Sequence, residues 1–273
     1  MKKFVFVLML VFSLCLFVGC GEKEEDKKTP TPEDPTEDVE KKGLERIKNS
    51  GYLVLGFTDF QPFGYIEDGK YYGFDLELAE LVAEELGVKL TPKYIDWDAQ
   101  VLELQENVDC IWNAMTITEK RKENMIFTKP YWETNLVAVV KADSEMTKVE
   151  DIKGKNISVE ANGTADINLS GNEDYKVSQY TTVSDARIAV DSGQADAFVA
   201  DATYVQDILT KYSDQYKVLD GTIGDIEEYG VAFRQGEEDL RDEVDKIIDK
   251  LYEEGKIDEL LAKYFGEGNG FKR

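Results

Sequence analysis

Short apolar runs alternate with amphipathic helical stretches from residue 51 onward, and this alternation restricts the fold of the chain more than any other feature. Residues 52–56 predict a first buried strand. The apolar residues of the next segment recur on one helical face, with Asp75 expected to cap its start and Gly87 to end it. Further strands are predicted at 89–95, 108–111, 135–140, 156–159, 197–200 and 229–233. This pattern is typical of the α/β class.

Composition excludes several classes of function. The chain has 273 residues, of which 42% are hydrophobic, so it can bury a substantial core. It contains no histidine, which excludes Ser-His-Asp and Cys-His hydrolases and most histidine-ligated metal sites. Its net charge of −24 opposes binding to nucleic acid. We therefore expect neither a cofactor nor a metal nor a nucleic-acid partner.

The first twenty residues differ from the rest. Lys2 and Lys3 precede an uncharged run that ends in Gly19-Cys20, a pattern that predicts a secretory signal peptide at 1–20. Gly19-Cys20 resembles the bacterial lipobox, in which the cysteine is acylated, although Phe17 stands where leucine is usual. Signal cleavage without a lipid is one alternative, and a membrane-spanning anchor is the other, although the run is short for one.

The segment 21–43 predicts a disordered tether. It combines dense charge with three of the six prolines and has almost no apolar residues. If Cys15 is removed with the signal and Cys20 is acylated, Cys110 is the remaining cysteine, so no intramolecular disulfide is expected. A lipid-held domain on such a tether would stand off the bilayer and still reach a membrane partner.

Three polar segments stand where α/β proteins bind ligands. In Met115-Thr116-Ile117-Thr118-Glu119-Lys120-Arg121, Thr118 is the expected helix N-cap. Arg121 in the first turn opposes the helix dipole, which favours either a carboxylate-binding role or a surface ion pair with Glu119 or Glu123. Thr164, after Gly163, could hold an anion at a helix start or simply cap it.

Asp201 ends the third of these segments, an apolar strand. Ligands of α/β sheets bind beyond the carboxyl ends of strands, so Asp201 is a candidate for binding a cation. Capping the following helix is the alternative role, and both could coexist. Aromatic residues cluster earlier in the chain, and most of these should be core, but Phe60 and Trp97 follow strands and could stack on a ligand.

Four segments taken in chain order, 51–73, 115–131, 193–201 and Glu228-Tyr229-Gly230-Val231-Ala232-Phe233-Arg234, resemble the family 3 extracellular solute-binding proteins of amino-acid ABC transporters. The resemblance covers about residues 44–266. It implies a type II periplasmic-binding-protein-like fold, with two mixed sheets flanked by helices and joined by a two-strand hinge. Lobe one would be 44–139 plus 233–266, lobe two 140–232 and the tail 267–273, with crossings at 136–141 and 229–234.

The resemblance also implies roles for individual residues. Arg121, with Thr116 and Thr164, would bind the carboxylate of a free amino acid, and Asp201 would bind its ammonium. The side chain of the amino acid would contact Phe60, Trp97, Asn113 and Ala114. Apart from the resemblance, Asp59, Asn113 and Trp112 suggest a ligand with a polar or extended side chain, so Asp59 is a further candidate contact. Two departures matter: the stretch from Asp59 to Pro62 is shorter than in the family, and Asn162-Gly163 replaces a glycine followed by a hydroxyl residue.

The implied function is extracytoplasmic capture of a polar amino acid and its delivery to the permease and ATPase subunits of an ABC importer, by a monomer anchored in the cell membrane through Cys20. Basic amino acids, glutamine and cystine remain candidate ligands. A cyclohexadienyl or arogenate dehydratase on the same fold is the enzyme alternative, but it would need a positioned general acid. A ligand-sensing domain is the third alternative.

Overall fold

The computed structural model describes residues 42–266 and 270–273, so the predicted signal peptide, Cys20 and nearly all of the tether lie outside the described residues. The strands are β1 Tyr52–Phe57, β2 Tyr65–Glu67, β3 Lys70–Tyr72, β4 Lys89–Tyr94, β5 Cys110–Ile111, β6 Met125–Phe127, β7 Trp132–Lys141, β8 Asn156–Glu160, β9 Lys176–Tyr180, β10 Ala197–Asp201, β11 Tyr216–Val218, β12 Ile223–Tyr229 and β13 Ala232–Arg234. These include a strand at each predicted position, although residues 229–233 divide between β12 and β13.

The α-helices alternate with these strands. They are α1 Lys42–Ser50, α2 Phe74–Leu86, α3 Gln100–Glu106, α4 Glu119–Lys122, α5 Thr164–Leu169, α6 Val183–Asp191, α7 Ala202–Tyr212, α8 Glu238–Glu253 and α9 Lys256–Tyr264. Short 3₁₀ turns at Trp97–Ala99 and Val149–Ile152 complete the set. Gly87 ends α2 in the left-handed conformation, as its sequence position predicts.

Two mixed sheets form the framework. One has the order β4-β1-β5-β13-β6, and the other has the order β11-β7-β10-β8-β9, with β12 also paired to β7. Parallel pairs such as β1 with β4 occur beside antiparallel pairs such as β13 with β5 in the same sheet. The hairpin of β2 and β3 is separate. The α/β class with two mixed sheets is therefore confirmed.

The chain passes between the sheets at two neighbouring points. Residues 128–131 lead from β6 to β7, and residues 230–231 lead from β12 to β13. The two connections are hydrogen-bonded to each other, because Tyr131 N–H donates to the Tyr229 carbonyl at 2.9 Å and Thr128 N–H to the Val231 carbonyl at 3.1 Å. They form a paired link between the sheets.

The first crossing therefore lies earlier than the sequence indicated. Residues 136–141 were expected to cross, but they belong to β7 within the six-stranded sheet, where Val139 pairs with Phe198 of β10. The residues that do cross are fixed by pairing with a segment about a hundred positions away, which local sequence does not reveal. The tail also contributes here, since Glu133 N–H donates to the Gly270 carbonyl at 2.7 Å.

Asp75 does not cap α2. The N-cap position is Gly73, whose φ of 132° places an added Cβ 2.1 Å from the Phe63 carbonyl oxygen. Asp75 is the second residue of the helix and is fully buried. Its Oδ2 accepts hydrogen bonds from Ala114 N–H at 2.7 Å and from the Tyr131 hydroxyl at 2.8 Å. Asp75 is therefore not a cap but a buried hydrogen-bond acceptor that links α2 to the segment after β5. We call this role the buried support.

Candidate functional site

One cavity is lined by residues at the ends of strands and the starts of helices from both sheets. It encloses about 330 Å³ of empty space, including space open to solvent. The lining residues are Thr58, Phe60, Trp97, Asn113, Ala114, Thr116, Arg121, Glu160, Gly163, Thr164 and Asp201. Eight of the nine ligand-contacting residues suggested by the sequence are in this set.

Arg121 is positioned by the short helix α4. The Thr118 hydroxyl accepts from Arg121 N–H at 3.2 Å, as expected for the N-cap. The guanidinium donates to the carbonyls of Thr116 at 2.8 Å and Asn162 at 3.3 Å, and it lies 5.6 Å from the centre of the Trp97 ring. The side chain is buried, and Glu119 pairs with Lys122 instead. This placement rules out the surface ion pair.

The charge of Arg121 persists despite its burial. Desolvation lowers its pKa to about 10, and the nearby carboxylates of Glu227, Asp201 and Glu160 act in the opposite direction. A pKa near 10 leaves the guanidinium protonated at neutral pH. It is therefore a fixed positive charge at the cavity wall, with a planar donor fork suited to a carboxylate.

Asp201 ends β10 and stands at the N-cap position of α7, but its side chain makes no capping hydrogen bond. It accepts instead from the Tyr229 hydroxyl, and it faces the cavity. Burial raises its pKa, while the Tyr229 hydrogen bond and the charge of Arg121 lower it. Asp201 therefore lines the cavity and does not cap α7, which leaves its carboxylate accessible from the cavity.

Two hydroxyls meet at a carboxylate that sequence reasoning missed. Thr164 opens α5 and donates to Glu227 Oε2 at 2.8 Å, and Thr116 donates to the same oxygen at 3.1 Å. Glu227 lies on β12 and is 8% exposed. It sits in an acidic run that looks solvated in the sequence, but alternation at the end of β12 turns residues 227 and 229 inward.

Glu160 is a second missed residue. It ends β8 and lines the cavity next to Asp201. Its pKa is raised to about 8, chiefly by burial and also by the charge of Asp201, while Arg121 acts in the opposite direction. Its position directly after the predicted strand 156–159 meets the same strand-end rule that identified Asp201. One guanidinium thus faces three carboxylates, those of Glu160, Asp201 and Glu227.

The remaining predicted residues divide into two groups. Phe60 and Trp97 line the cavity, with Phe60 stacked on Tyr204 at 4.9 Å between ring centres. Asn113 lines it too and donates to the Thr58 hydroxyl at 3.2 Å. Asp59 does not line it, since this residue is exposed and accepts from Ile66 N–H at 3.4 Å in the β2–β3 hairpin. The structure therefore separates Asp59 from the site.

Two backbone positions at the site have left-handed conformations. Asn162 has φ 56° and Ala114 has φ 51°. Asparagine tolerates this conformation well. Asn162 can therefore replace the glycine that the sequence resemblance implies at this position. Alanine does not tolerate the left-handed conformation, and such residues typically cost about 1–3 kcal/mol. Ala114 is held there by its N–H bond to the buried carboxylate of Asp75.

Neither a metal site nor a membrane helix is found in the described part of the chain. Residues 42–266 and 270–273 contain no group of three or more acidic or cysteine side chains arranged to hold a metal ion. None of the helices in these ranges is long and apolar enough to cross a membrane.

Comparison with known proteins decides the family. Residues 53–267 match the bacterial extracellular solute-binding proteins, family 3. The chain belongs to that family. The resemblance of the four sequence segments is thereby confirmed, and this family 3 protein belongs to a group of binding proteins rather than enzymes. The family is extracellular, which implies a location outside the cytoplasm.

Relatives with known ligands support this assignment. The protein is 31% identical over 233 residues to the L-cystine-binding protein TcyJ of Escherichia coli (strain K12). The alignment covers 82% of this chain and 86% of TcyJ. The crystal structure of a mutant ArgBP from T. maritima has a TM-score of 0.77 at 33% identity, covering 82% of this chain and 100% of that one. An ABC uptake transporter substrate-binding protein from Streptococcus pneumoniae with bound histidine has a TM-score of 0.78 at 30% identity, covering 84% and 98%.

The pH dependence of unfolding tests whether the buried carboxyl group of Asp75 stabilises the segment at Ala114. Burial raises its pKa to about 7, so the folded family 3 protein binds a proton that the unfolded chain has already released. The stability contribution of Asp75 should therefore fall as pH rises from about 4 to about 7. Asp75→Asn can keep an oxygen acceptor for Ala114 and Tyr131 without titrating. Unfolding by urea from acidic to neutral pH should show a flatter pH dependence for Asp75→Asn than for the wild type.

The matched comparison is Asp75→Ala, which leaves both donors without a partner and should cost about 2–4 kcal/mol of unfolding free energy. Equal pH dependence in the wild type and Asp75→Asn would contradict the buried-support interpretation.

Proposed function

We propose that this protein binds one free L-amino acid as a zwitterion and delivers it to the permease and ATPase subunits of an ABC importer. One observation carries the proposal: Arg121 and Asp201, which have opposite charges, line the same small cavity. A zwitterion presents a carboxylate to the first and an ammonium to the second. Relatives named for binding cystine, histidine and arginine support the same class of ligand.

The neighbouring residues fit this orientation. Arg121 uses one guanidinium nitrogen on the Thr116 carbonyl and another on the Asn162 carbonyl, and its remaining donors can reach a carboxylate. Thr116 and Thr164 lie beside it. Phe60 and Trp97 offer aromatic surface for the side chain of the amino acid, and Asn113 has a side-chain oxygen without a partner among the described residues.

The first experiment measures binding to the charged ends. A thermal-shift screen of the twenty amino acids with ornithine and cystine identifies the ligand, because a molecule that binds only the folded state raises the melting temperature. Calorimetry should then show that Arg121→Ala and Asp201→Asn each weaken binding by at least about 100-fold, since each leaves a desolvated ligand charge unpaired. Asp201→Asn still offers an oxygen to Tyr229.

Lys122→Ala and Asp214→Ala are the controls, because both side chains are exposed. They should bind like the wild type. Affinity within threefold of wild type for either site variant, or a preference of the wild type for the decarboxylated amine, would refute the zwitterion site.

The two sheets define the lobes of the proposal. Residues 42–127 with 232–266 form lobe one and residues 132–229 form lobe two, joined by 128–131 and 230–231. Arg121 belongs to lobe one, and Asp201 and Thr164 belong to lobe two. A ligand that bridges them would draw the lobes together, and closure would let the transporter distinguish loaded from empty protein.

Small-angle scattering tests this closure. The radius of gyration of the protein should decrease when the amino acid found in the screen is added at saturation. Arg121→Ala, which should bind poorly, is the control and should show no change at the same ligand concentration. An unchanged radius for the wild type would count against a hinge.

The attachment to the membrane is a further part of the proposal. Gly19-Cys20, followed by an acidic tether, supports acylation of Cys20 with diacylglycerol and a monomer held at the outer face of the cell membrane. Cys20→Ala should release the protein to the medium or leave it unprocessed, as fractionation and immunoblotting would show. Cys15→Ala is the matched control and should stay membrane-bound. A processed and fully membrane-bound Cys20→Ala variant would contradict the anchor.

A further inference from the structure

Glu227 is placed behind the cavity wall and not on it. Its carboxylate is buried, and a single oxygen, Oε2, accepts from both the Thr116 hydroxyl at 3.1 Å and the Thr164 hydroxyl at 2.8 Å. Thr116 precedes α4 on the side of Arg121, and Thr164 begins α5 on the side of Asp201. One carboxylate therefore holds a hydroxyl from each half of the site.

The hydroxyl protons of Thr116 and Thr164 cannot be donated to Glu227 and to a ligand carboxylate at the same time. A threonine hydroxyl has one proton, and an ionised carboxylate accepts hydrogen bonds without donating any. When Glu227 is ionised, both hydroxyl protons are directed to it, so the threonine oxygens present only lone pairs to the cavity. A ligand carboxylate beside Arg121 would meet acceptors where it needs donors. A buried carboxylate oxygen facing other acceptors is strongly unfavourable.

We propose that Glu227 takes up one proton from solvent when the amino acid binds, so that at least one of the hydroxyls of Thr116 and Thr164 turns its proton to the ligand carboxylate. The protonated carboxyl donates to one threonine oxygen and reverses that hydrogen bond. No covalent bond other than that to the proton changes. This inference rests on the proposed function, because it requires the ligand carboxylate to lie at Arg121.

Burial and the neighbouring groups shift the pKa of Glu227 in opposite directions. Its pKa is raised to about 7, chiefly by burial and also by Asp201, while the hydroxyls of Thr164 and Thr116 and the charge of Arg121 act in the opposite direction. Tyr229, on the same strand, also faces it. The ligand carboxylate adds negative charge and withdraws a hydroxyl donor, so the pKa of Glu227 rises on binding. Protons are then taken up above the pKa of the free protein, and affinity falls as pH rises, by at most about tenfold per pH unit.

Two other carboxyl groups, those of Asp201 and Glu160, should release protons when the ligand binds, whereas Glu227 takes one up. The ligand ammonium should lower the pKa values of Asp201 and Glu160, which both lie above their ordinary range, and so release protons. The net number of protons exchanged by the wild type is a sum of these effects. The contribution of Glu227 is the difference between the wild type and a variant that cannot titrate at this position.

Glu227→Gln is that variant, because it keeps an oxygen acceptor for both hydroxyls. Calorimetry at about pH 7.5, in buffers with different heats of ionisation, counts the protons taken up per ligand bound. L-arginine and L-glutamine are the first probes, since neither side chain titrates near neutral pH; the strongest binder of the thermal-shift screen replaces them if neither binds. Glu227→Gln should take up about 0.3–1 fewer protons than the wild type, and its affinity should depend less on pH.

Glu228→Gln is the matched control, since this neighbour on the same strand is exposed, and it should exchange protons like the wild type. Should Glu227→Gln fail to fold, Thr164→Val provides the second measurement. It removes one donor from Glu227, which raises the pKa of the free protein and so reduces proton uptake in the same direction.

The outcomes separate the two proposals. A wild type that binds an amino acid, with proton numbers in Glu227→Gln and Thr164→Val within about 0.1 of its own, would overturn the role of Glu227 and leave the proposed function intact. A wild type that binds none of the screened amino acids would overturn both. Tighter binding of Glu227→Gln than of the wild type at alkaline pH, with equal affinities at acidic pH, would support the proton exchange.

Discussion

The site depends on how one buried guanidinium is held. Arg121 is fixed by two backbone carbonyls, one from the segment before its own helix and one from Asn162 in the other sheet's half of the molecule. A charge in this position needs counter-charges, and the ends of β8, β10 and the middle of β12 provide Glu160, Asp201 and Glu227. The sheets matter to the proposed function because they bring Glu160 and Asp201 to one cavity and Glu227 to the position behind its wall.

The paired connections at 128–131 and 230–231 are the proposed hinge of this arrangement. Tyr131 and Tyr229 are joined by a backbone hydrogen bond at the crossing, and the Tyr229 side chain also donates to Asp201. Tyr229 therefore contacts the hinge through its backbone and the binding site through its hydroxyl. In the proposed closure, a movement of the crossing segments would reach the Asp201 carboxylate through Tyr229.

Local rules predicted what depends on local sequence. The N-cap at Thr118, the left-handed Gly87 and the strand positions follow from neighbouring residues and were found. The misassigned Asp75 and the missed Glu227 depend on partners far along the chain, Ala114 for the first and Thr116 and Thr164 for the second. The same applies to the crossing at 128–131. Asp59 is a candidate because its polar side chain follows the first strand, but it is exposed and bonded to the β2–β3 hairpin, away from the cavity.

The balance of charge in the cavity links binding to protonation. Three carboxylates face one guanidinium, and burial raises the pKa of each carboxyl. A zwitterionic amino acid brings equal positive and negative charge, so it cannot remove this excess by itself. In the proposed orientation the ligand ammonium lies nearer to Asp201 and its carboxylate nearer to Thr116 and Thr164, so the excess negative charge would be redistributed rather than neutralised. Ionisation is favoured at the ammonium end and protonation at the carboxylate end, where Glu227 is the titratable group in contact with both hydroxyls.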